Sequence, residues 1–305
     1  MPSPRYVLGI DAGGTKTRAL LADENARVVA GALGSGANLR THGELEVEKV
    51  LHGVIEEACA GAPDAAPQAV ALGIAGADRP ADEAVLRAIL RRIGFRNRVV
   101  VTNDARIAFV AGSAGRVGLA LVCGTGSIAW GRNRAGEIAR SGGWGWHLGD
   151  EGSGFWIGER AIRDVLRAAD GRGPATSLDR ALSEHFSIAR PDQILYAIYD
   201  GEFPRTQVAK FAPRVEEAAR AGDAVAKAIL SDAAVELTRA AASVRDRLRL
   251  EESEYDVVLS GGTFAAVPTL ADDVARRLAS SNAHVSRLVE EPAMGAVKLA
   301  IEALG

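Results

Sequence analysis

The chain has 305 residues, of which 48% are hydrophobic and 25% are charged. This length is sufficient for two domains with separate cores, because single cores rarely grow beyond about 250 to 300 residues. The net charge of −3 and the lack of clustered lysines and arginines argue against a surface for nucleic acid or for anionic membranes.

Apolar runs and cysteines indicate the cellular compartment. The longest apolar runs have the length of a strand, and the N-terminal sequence MPSPRY lacks the apolar region of a signal peptide. The only two cysteines, Cys59 and Cys123, are far apart in sequence, and neither has metal-ligand spacing around it. We therefore expect a cytoplasmic protein with reduced, buried thiols.

The first half of the chain predicts an alternation of strands and helices. Three antiparallel strands are expected first, and amphipathic helices then alternate with buried strands. The predicted strands are 6–10, 18–23, 27–31, 69–74 and 98–101, and the predicted helices are 42–60 and 82–93. This alternation favours an α/β fold with a mixed sheet.

The second half begins with strands and then becomes helical. A strand at 118–122 and its hairpin precede the helices, and the longest helical stretch contains a break at 221–224. The predicted helices are 155–169, 178–182, 192–199, 207–248, 267–279 and 293–304, and the further strands are 256–259 and 284–289. Because no low-complexity segment or long linker separates the halves, we expect two closely packed domains.

An internal repeat is the most informative feature of the chain. The segment 7–30 is echoed by 119–139, and each copy has an apolar run, a Gly-Thr pair, a second apolar strand, a polar turn and a third apolar piece. A glycine-rich turn between strands can bring backbone N–H groups close to an anion, because no Cβ blocks the approach. Two such turns predict a polyphosphate site.

Each glycine-rich turn also has a purely structural interpretation. The turns at Gly13-Gly14 and Gly124-Thr125-Gly126 fit hairpin turns that need glycine for positive φ. A third pair, Gly261-Gly262, follows an apolar strand and precedes a helix, so it fits either an adenosine lying against bare backbone or a tight strand-to-helix turn. The sequence GTKT is only superficially like a P-loop, because Thr15 separates the glycine from Lys16.

Three motifs resemble a known superfamily in their order along the chain. DAGGTKTR (11–18), VCGTGS (122–127) and VVLSGGTF (257–264) are similar to the two phosphate loops and the adenosine motif of the actin-like ATPase and sugar kinase superfamily. TNDA (102–105) and GGWGWHLGDEGSGFWIG (142–158) resemble its N-acetylglucosamine kinase branch, the BadF/BadG/BcrA/BcrD ATPase family. The resemblance extends from residue 7 to about residue 300.

The resemblance implies the architecture. It implies two actin-like (ribonuclease H-like) domains of α/β class, with mixed sheets flanked by helices and an interdomain cleft that holds nucleotide and sugar. The first domain would be 1–113, joined by the C-terminal helix 293–305, and the second would be 114–292 with helical insertions. A homodimer is common in the family. The cysteine-rich zinc motif of the related repressor and glucokinase group is absent from the sequence, so we expect no structural zinc.

The resemblance also implies the nucleotide-binding residues. The first phosphate loop would bind ATP phosphates, the second would bind them from the C-terminal domain, and the third motif would contact adenosine. These residues are Gly13, Gly14, Thr15, Lys16, Gly124, Thr125, Gly126, Gly261 and Gly262. Asp11, at the end of its strand, would hold Mg²⁺, mainly through water because Mg²⁺ sheds its hydration reluctantly.

Asp104 is the predicted general base. It follows a strand, and a carboxylate there can accept the proton of a sugar hydroxyl as the oxygen attacks phosphorus. The alternative role is a helix N-cap. The resemblance implies that Asp150 binds a sugar hydroxyl, although an acid at a helix start also favours the helix dipole.

Further sugar-binding residues are implied by the same motifs. Asn38 matches the sugar-contacting asparagine of the family. An amide side chain suits sugar hydroxyls, because it can both donate and accept hydrogen bonds. Its alternative role is an αL turn residue. Trp144 would line the sugar pocket beside Gly143 and Gly145.

The resemblance therefore implies an ATP- and Mg²⁺-dependent kinase for the 6-hydroxyl of N-acetylglucosamine, and the composition predicts no nucleic-acid or membrane partner. Glucosamine and N-acetylmuramic acid remain alternative substrates. An activator ATPase would need paired cysteines for an iron–sulfur cluster, and only Cys59 and Cys123 are present. A sugar-responsive repressor would need a DNA-reading module, and the first strand already begins by Tyr6.

Overall fold

The computed structural model describes residues 4–77, 79–96, 98–199 and 204–305. The first three residues of the N-terminal sequence MPSPRY lie outside the described residues. Ten strands occur in the described part of the chain: β1 (Tyr6–Ala12), β2 (Lys16–Asp23), β3 (Val28–Ser35), β4 (Pro67–Ile74), β5 (Val99–Thr102), β6 (Gly118–Cys123), β7 (Ser127–Arg132), β8 (Ile138–Gly142), β9 (Tyr255–Ser260) and β10 (Ala283–Arg287).

The helices of the described ranges follow the predicted alternation. They are α1 (Leu39–Ala60), α2 (Pro80–Ile93), α3 (Asp104–Gly112), α4 (Gly154–Ala169), α5 (Leu178–Phe186), α6 (Ile194–Tyr199), α7 (Arg205–Ala209), α8 (Ala212–Arg220), α9 (Ala224–Arg247), α10 (Gly262–Ala266), α11 (Pro268–Leu278) and α12 (Pro292–Glu302). Two short 3₁₀ helices, Pro191–Gln193 and Leu250–Glu252, complete the set.

The chain divides into two compact units, each built on a five-stranded sheet. Unit 1 comprises Met1–Arg116 and Arg287–Gly305, and unit 2 comprises Val117–Ser286. The strand order is β3-β2-β1-β4-β5 in the first sheet and β8-β7-β6-β9-β10 in the second. Strand for strand, the two orders correspond. The sequence repeat is therefore a repeat of the fold.

The central strand of unit 1 is buried on both faces. β1 pairs antiparallel with β2 and parallel with β4, which in turn pairs parallel with β5. Leu8 and Ile10 pack in the cluster that includes α1 and α2, whereas Val7 packs in the cluster that includes α3 and α12. This explains the nearly continuous apolar run, because a strand covered on both faces needs no alternation of polar residues.

The final helix, α12, packs within unit 1. A Cβ built on Gly9 of β1 would clash with the backbone of Val297, and one built on Gly295 would clash with the carbonyl oxygen of Ile107. These glycines let α12 lie close to both β1 and α3. The carboxyl ends of β1, β4 and β5 remain together at one edge of the sheet, because parallel strands run in the same direction.

Some elements differ from the predictions. The helix α1 begins three residues earlier than expected and has a kink at Gly43, where φ is 77°. The predicted stretch 207–248 breaks at 221–224 as expected, and it breaks again around the buried Phe211. The strand-to-helix turn at Gly261 leads into the extra short helix α10. In the part of the chain that the structure describes, no helix is both long and apolar enough to span a membrane.

Candidate functional site

The first glycine-rich loop of unit 1 is a tight connection between two strands. The Gly13 N–H donates to the carbonyl of Lys16 (2.9 Å), and the Ala37 N–H donates to the carbonyl of Gly13 (3.0 Å). Lys16 begins the strand β2. A P-loop leads into a helix, so this connection is of another kind.

Two carboxylates occupy the same edge of the unit 1 sheet. Asp11 lies near the carboxyl end of β1, and Asp104 begins α3 directly after β5. Burial and, next, the charge of Asp104 raise the pKa of Asp11 to about 7, although the charge of Lys16 opposes them. The two acids are therefore close enough to repel each other, which is the electrostatic setting that a cation relieves.

The cap of α3 is Asn103, so the interpretation of Asp104 as the N-cap is wrong. The Asn103 side chain accepts a hydrogen bond from the Arg106 N–H (2.8 Å). Asp104 is the first residue of the helix, and its Oδ1 accepts from the Ala105 N–H (3.0 Å). Its carboxylate lies in the first turn, where the helix dipole interacts favourably with a negative charge.

Asn38 is held beside the first loop. A Cβ built on Gly36 would clash with the carbonyl oxygen of Gly14, so the chain entering α1 runs against that loop. Asn38 has φ of −122° and is the N-cap of α1, with its side chain accepting from the Arg40 N–H (2.9 Å). The αL interpretation is therefore wrong. Its amide group lies 3.7 Å from a Cβ built on Gly76.

The second loop, in unit 2, forms hydrogen bonds with two other predicted motifs through the backbone of Gly124. The Gly124 N–H donates to the carbonyl of Gly126 (2.9 Å). The carbonyl of Gly124 accepts from the Gly154 N–H (2.9 Å) and from the Thr263 Oγ1 hydroxyl (2.8 Å). The phosphate loop, the GDEGS turn and the SGGTF motif thus converge within unit 2.

Asp150 is a buried carboxylate beside the second loop. A Cβ built on Gly126 would lie 2.7 Å from its Oδ2, and the Ser127 N–H donates to its Oδ1 at 3.4 Å. The helix α4 starts at Gly154 and is capped by Ser153, so Asp150 lies outside the first turn and the helix-dipole interpretation is wrong.

Burial governs the charge state of Asp150. It raises the pKa of this carboxyl group above the usual aspartate range, while a backbone hydrogen bond from Ser127 and the charge of Arg205 lower it. The backbone is also strained, since Asp150 has φ of 58°. A buried acid in a strained turn is typical of a functional position.

Trp144 stands on a rigid turn at the surface of unit 2. Gly143 has φ of 70°, and a Cβ there would press against Ile128 at 2.8 Å, while Gly145 has φ of 84°. The Trp144 side chain is 55% exposed, and the Arg140 guanidinium lies 4.6 Å from its ring centroid. An aromatic face fixed by an arginine is suited to stacking on a sugar ring.

In each of the three loops, one glycine occupies a position where neither the backbone conformation nor the packing requires glycine. Gly14, Gly124 and Gly262 lack positive φ. Among the described residues, no heavy atom beyond the adjoining backbone lies within 4 Å of a Cβ built on any of them. The positive-φ interpretation of the two hairpin loops is therefore wrong for Gly14 and Gly124. By contrast, Gly261 has φ of 111°, and a Cβ there would clash with Cys123, so the tight turn accounts for it.

The structure also brings in residues that sequence reasoning missed. Arg205, at the start of α7, places its charge near Asp150. Thr263 links the third motif to the second loop. The available signal for Arg205 was a cation at a helix start, where the dipole disfavours it.

The donors around Asp11 fit Mg²⁺. Among the described residues, no group of three His, Cys, Asp or Glu side chains could form a metal cage. Mg²⁺ is usually bound by one or two carboxylates with water and substrate phosphates, so Asp11 beside Asp104 supplies the chemistry it needs.

Sequence comparisons identify related kinases. A kinase from Clostridium acetobutylicum named N-acetylmuramic acid/N-acetylglucosamine kinase is 32% identical over 300 residues, which cover 97% of this chain and 98% of that protein. An N-acetyl-D-glucosamine kinase from Dictyostelium discoideum is 32% identical over 320 residues, which cover 98% of each.

A comparison with solved structures also identifies a related kinase. The solved structure of a candidate N-acetylglucosamine kinase from Chromobacterium violaceum has a TM-score of 0.77 at 28% identity, and the match covers 98% of this chain and 100% of that one. The predicted α/β class with two actin-like domains is thereby confirmed. Residues 8–300 match the sequence profile of one family, and the chain belongs to that family, the BadF/BadG/BcrA/BcrD ATPase family.

Proposed function

We propose that the chain is an ATP-dependent amino-sugar kinase that transfers the γ-phosphate of ATP to the 6-hydroxyl of N-acetylglucosamine. The observation that carries the proposal is the set Gly14, Gly124 and Gly262, whose missing side chains serve neither the backbone nor the packing. Glycine at such positions leaves room for a ligand against the backbone. The names of the two curated relatives support N-acetylglucosamine as substrate, and one of them also names N-acetylmuramic acid.

Two of the three glycine motifs would bind the phosphates of ATP. The first loop would contribute amides and side chains, the second loop would contribute amides, and the third motif would contact adenosine. The residues are Gly13, Gly14, Thr15 and Lys16, then Gly124, Thr125 and Gly126, then Gly261 and Gly262. Backbone N–H groups fixed by the loop hydrogen bonds need no reorganisation as charge develops in the transition state.

Asp11 would hold Mg²⁺ when ATP is bound. The ion supplies charge neutralisation of the phosphates. The repulsion between Asp11 and Asp104 makes a cation favourable at this edge of the sheet.

Asp104 would act as the general base. The sugar 6-hydroxyl attacks the γ-phosphorus, the bond to the leaving ADP oxygen breaks, and the hydroxyl proton passes to the Asp104 carboxylate. Asn103 fulfils the capping role, so the Asp104 carboxylate is not needed for that purpose.

Polar side chains would hold the sugar. The Asn38 amide and the Asp150 carboxylate would bind hydroxyls, and Trp144 with Gly143 and Gly145 would line the pocket. The carboxylate form of Asp150 accepts hydroxyl donors, and its desolvation makes each such hydrogen bond stronger than in water. A homodimer stays a prediction from the family resemblance, and a cytoplasmic location stays a prediction from the short apolar runs and the N-terminal sequence.

The test is a coupled ADP-release assay on the purified protein with ATP and Mg²⁺. N-acetylglucosamine, glucosamine, glucose and N-acetylmannosamine are compared, and the position of the phosphate is read by NMR. We expect the highest kcat/KM with N-acetylglucosamine and phosphate on its 6-oxygen. ATP hydrolysis that no sugar accelerates would overturn the proposal.

A further inference from the structure

Ser127 ends the second glycine-rich loop and begins the strand β7. Its three polar groups all contact turns that carry proposed sugar-binding residues. The Ser127 Oγ hydroxyl donates to the carbonyl of Glu151 (2.8 Å), and its N–H donates to Asp150 Oδ1 (3.4 Å). The Ser127 carbonyl accepts from the Gly143 N–H (3.0 Å). One residue of this loop therefore holds both the Asp150 turn and the turn that carries Trp144.

The Ser127 hydroxyl supports a strained part of the backbone. Asp150 has φ of 58°, a conformation that a residue with a Cβ keeps only where surrounding contacts fix it. The hydroxyl of Ser127 binds the carbonyl of the next residue, Glu151, and Ser127 itself is only 9% exposed. Loss of this hydroxyl should therefore let the turn relax and the Asp150 carboxylate move.

The Asp150 carboxylate also packs directly against the loop that Ser127 ends. A Cβ built on Gly126 would lie 2.7 Å from Asp150 Oδ2. Further along the turn, the Phe155 N–H donates to the carbonyl of Thr125 (3.3 Å). The loop and the turn are thus joined at several successive residues within unit 2. The direction of the Asp150 carboxylate depends on these contacts.

We propose that Ser127 is a positioning residue for sugar recognition, whose hydroxyl holds the turn of Asp150 and so orients the Asp150 carboxylate towards a sugar hydroxyl. A hydrogen bond weakens steeply when its angle departs from linearity, so a shifted carboxylate binds the sugar less well. Support from the proposed phosphate loop keeps the sugar-binding carboxylate in a fixed place relative to that loop. This inference rests on the proposed kinase function and deepens it, because it concerns the geometry of the same site.

The experiment removes the Ser127 hydroxyl and keeps the backbone donor. Ser127→Ala deletes the hydroxyl, and Ser127→Cys replaces it with a weaker donor of similar size. Thr238→Val is the matched control, because the Thr238 hydroxyl of the same unit donates to a backbone carbonyl, that of Ala234, over 2.7 Å. KM for N-acetylglucosamine, KM for ATP and kcat are measured for each variant, and circular dichroism verifies the fold.

We expect Ser127→Ala to raise the KM for the sugar about 5- to 50-fold, because a donor is lost and the carbonyl of Glu151 is left unpaired. Ser127→Cys should give an intermediate value, and it replaces the alanine variant in all comparisons if that variant does not fold. The KM for ATP should stay close to that of wild type in both. Thr238→Val should leave both KM values unchanged.

A double-mutant cycle tests whether Ser127 acts through Asp150. The sugar kcat/KM is compared in wild type, Ser127→Ala, Asp150→Asn and the double variant. Residues in one hydrogen-bond network have non-additive effects. Ser127→Ala should therefore cost less than about twofold when it is added to Asp150→Asn, because the carboxylate that it orients is already absent.

The outcomes separate this inference from the proposed function. Additive losses in the cycle would overturn the inference and leave the kinase function intact, because the hydroxyl would then act independently of Asp150. An unchanged sugar KM in a folded Ser127→Ala protein, or an equal rise in the KM for ATP, would overturn it as well. A wild-type protein that neither binds a sugar by calorimetry nor transfers phosphate to one would overturn the proposed function and this inference together.

Discussion

Asn103 and Asp104 divide two tasks at the start of α3. Asn103 caps the helix, which leaves the neighbouring carboxylate at the sheet edge beside Asp11. A substitution at Asp104 therefore leaves the N-cap of α3 in place. Its effect on the rate reports on catalysis and not on helix stability.

Asp104→Asn should lower kcat by at least about 100-fold, because general-base catalysis usually contributes 10²- to 10⁴-fold and an amide cannot accept the proton. ATP affinity and the fold should persist. Single-turnover phosphate transfer to the preferred sugar measures the rate, with circular dichroism as the control. Retention of more than about a tenth of the wild-type rate would show that the base lies elsewhere.

Asp150 predicts a pH dependence of sugar binding. Burial raises its pKa, so its carboxylate takes up a proton at a higher pH than an exposed aspartate does. The sugar KM should rise as pH falls through this raised pKa, because the protonated acid is a poorer acceptor for hydroxyl donors. The KM of Asp150→Asn should be high and independent of pH over this range.

The same shift has a consequence for stability. A raised pKa means that the folded state binds this proton more tightly than the unfolded state, so stability falls as pH rises from the ordinary aspartate range through the folded pKa. The free energy of unfolding of wild type relative to Asp150→Asn should fall over that window. Asparagine tolerates the positive φ of residue 150 better than alanine does, which makes it the suitable variant. If wild type and Asp150→Asn showed the same dependence of the sugar KM on pH, the assignment of Asp150 as a sugar-binding carboxylate would be contradicted.

The sequence identified the residue types of the site better than their local roles. The acids, the asparagine and the glycines follow recognisable strand ends and motifs, so their positions could be predicted. The roles of Asn38 and Asn103 as caps depend on side-chain hydrogen bonds to later amides. The position of Arg205 depends on how α7 packs on α4, and no local sequence pattern predicts that packing.

At the scale of elements, the two hairpin loops make a direct prediction. Gly14→Val and Gly124→Val should each weaken ATP binding at least about tenfold, since a branched side chain would fill the approach to the backbone amides. The fold should survive, because neither position has positive φ or a neighbour within 4 Å of the new Cβ. Calorimetry with ATP and Mg²⁺ measures the affinity.

Gly53→Val is the matched control for these variants. Gly53 lies on an exposed turn of α1 and also has no heavy atom within 4 Å of a built Cβ. Its ATP affinity should equal that of wild type. Unchanged affinity in both loop variants would contradict the phosphate-loop assignment.

Element prediction succeeded where the signal was local. Glycine and polar turn residues marked the hairpins, and apolar periodicity marked the long helices. The second break, around Phe211, was missed because it reflects burial of that ring against α5 and its neighbours. The close packing of α12 on β1 and α3 needs Gly9 and Gly295 together, which are far apart in sequence.

For the whole molecule, the chain should contain no iron–sulfur cluster. Cys123 is buried, its thiol donates to the carbonyl of Gly152, and burial raises its pKa far above the usual range. Cys59 lies on α1 in the other unit and is only partly buried. Thiolates, not buried thiols, bind iron. Purified protein should therefore be colourless and iron-free by metal analysis, and stoichiometric iron would favour an activator ATPase.

The two units share one strand order, so their hairpins can be compared position by position. When the Gly-Thr pairs of the two hairpins are aligned, Gly14 corresponds to Gly124, and Asp11 corresponds to Leu121. The strand that exposes an acid to the sheet edge in one copy thus carries a fully buried leucine in the other. If both loops bind phosphate as proposed, the repeated scaffold contacts the anion twice, while an acid at this strand position occurs in only one of the two hairpins. The repeated architecture is therefore chemically asymmetric at this position.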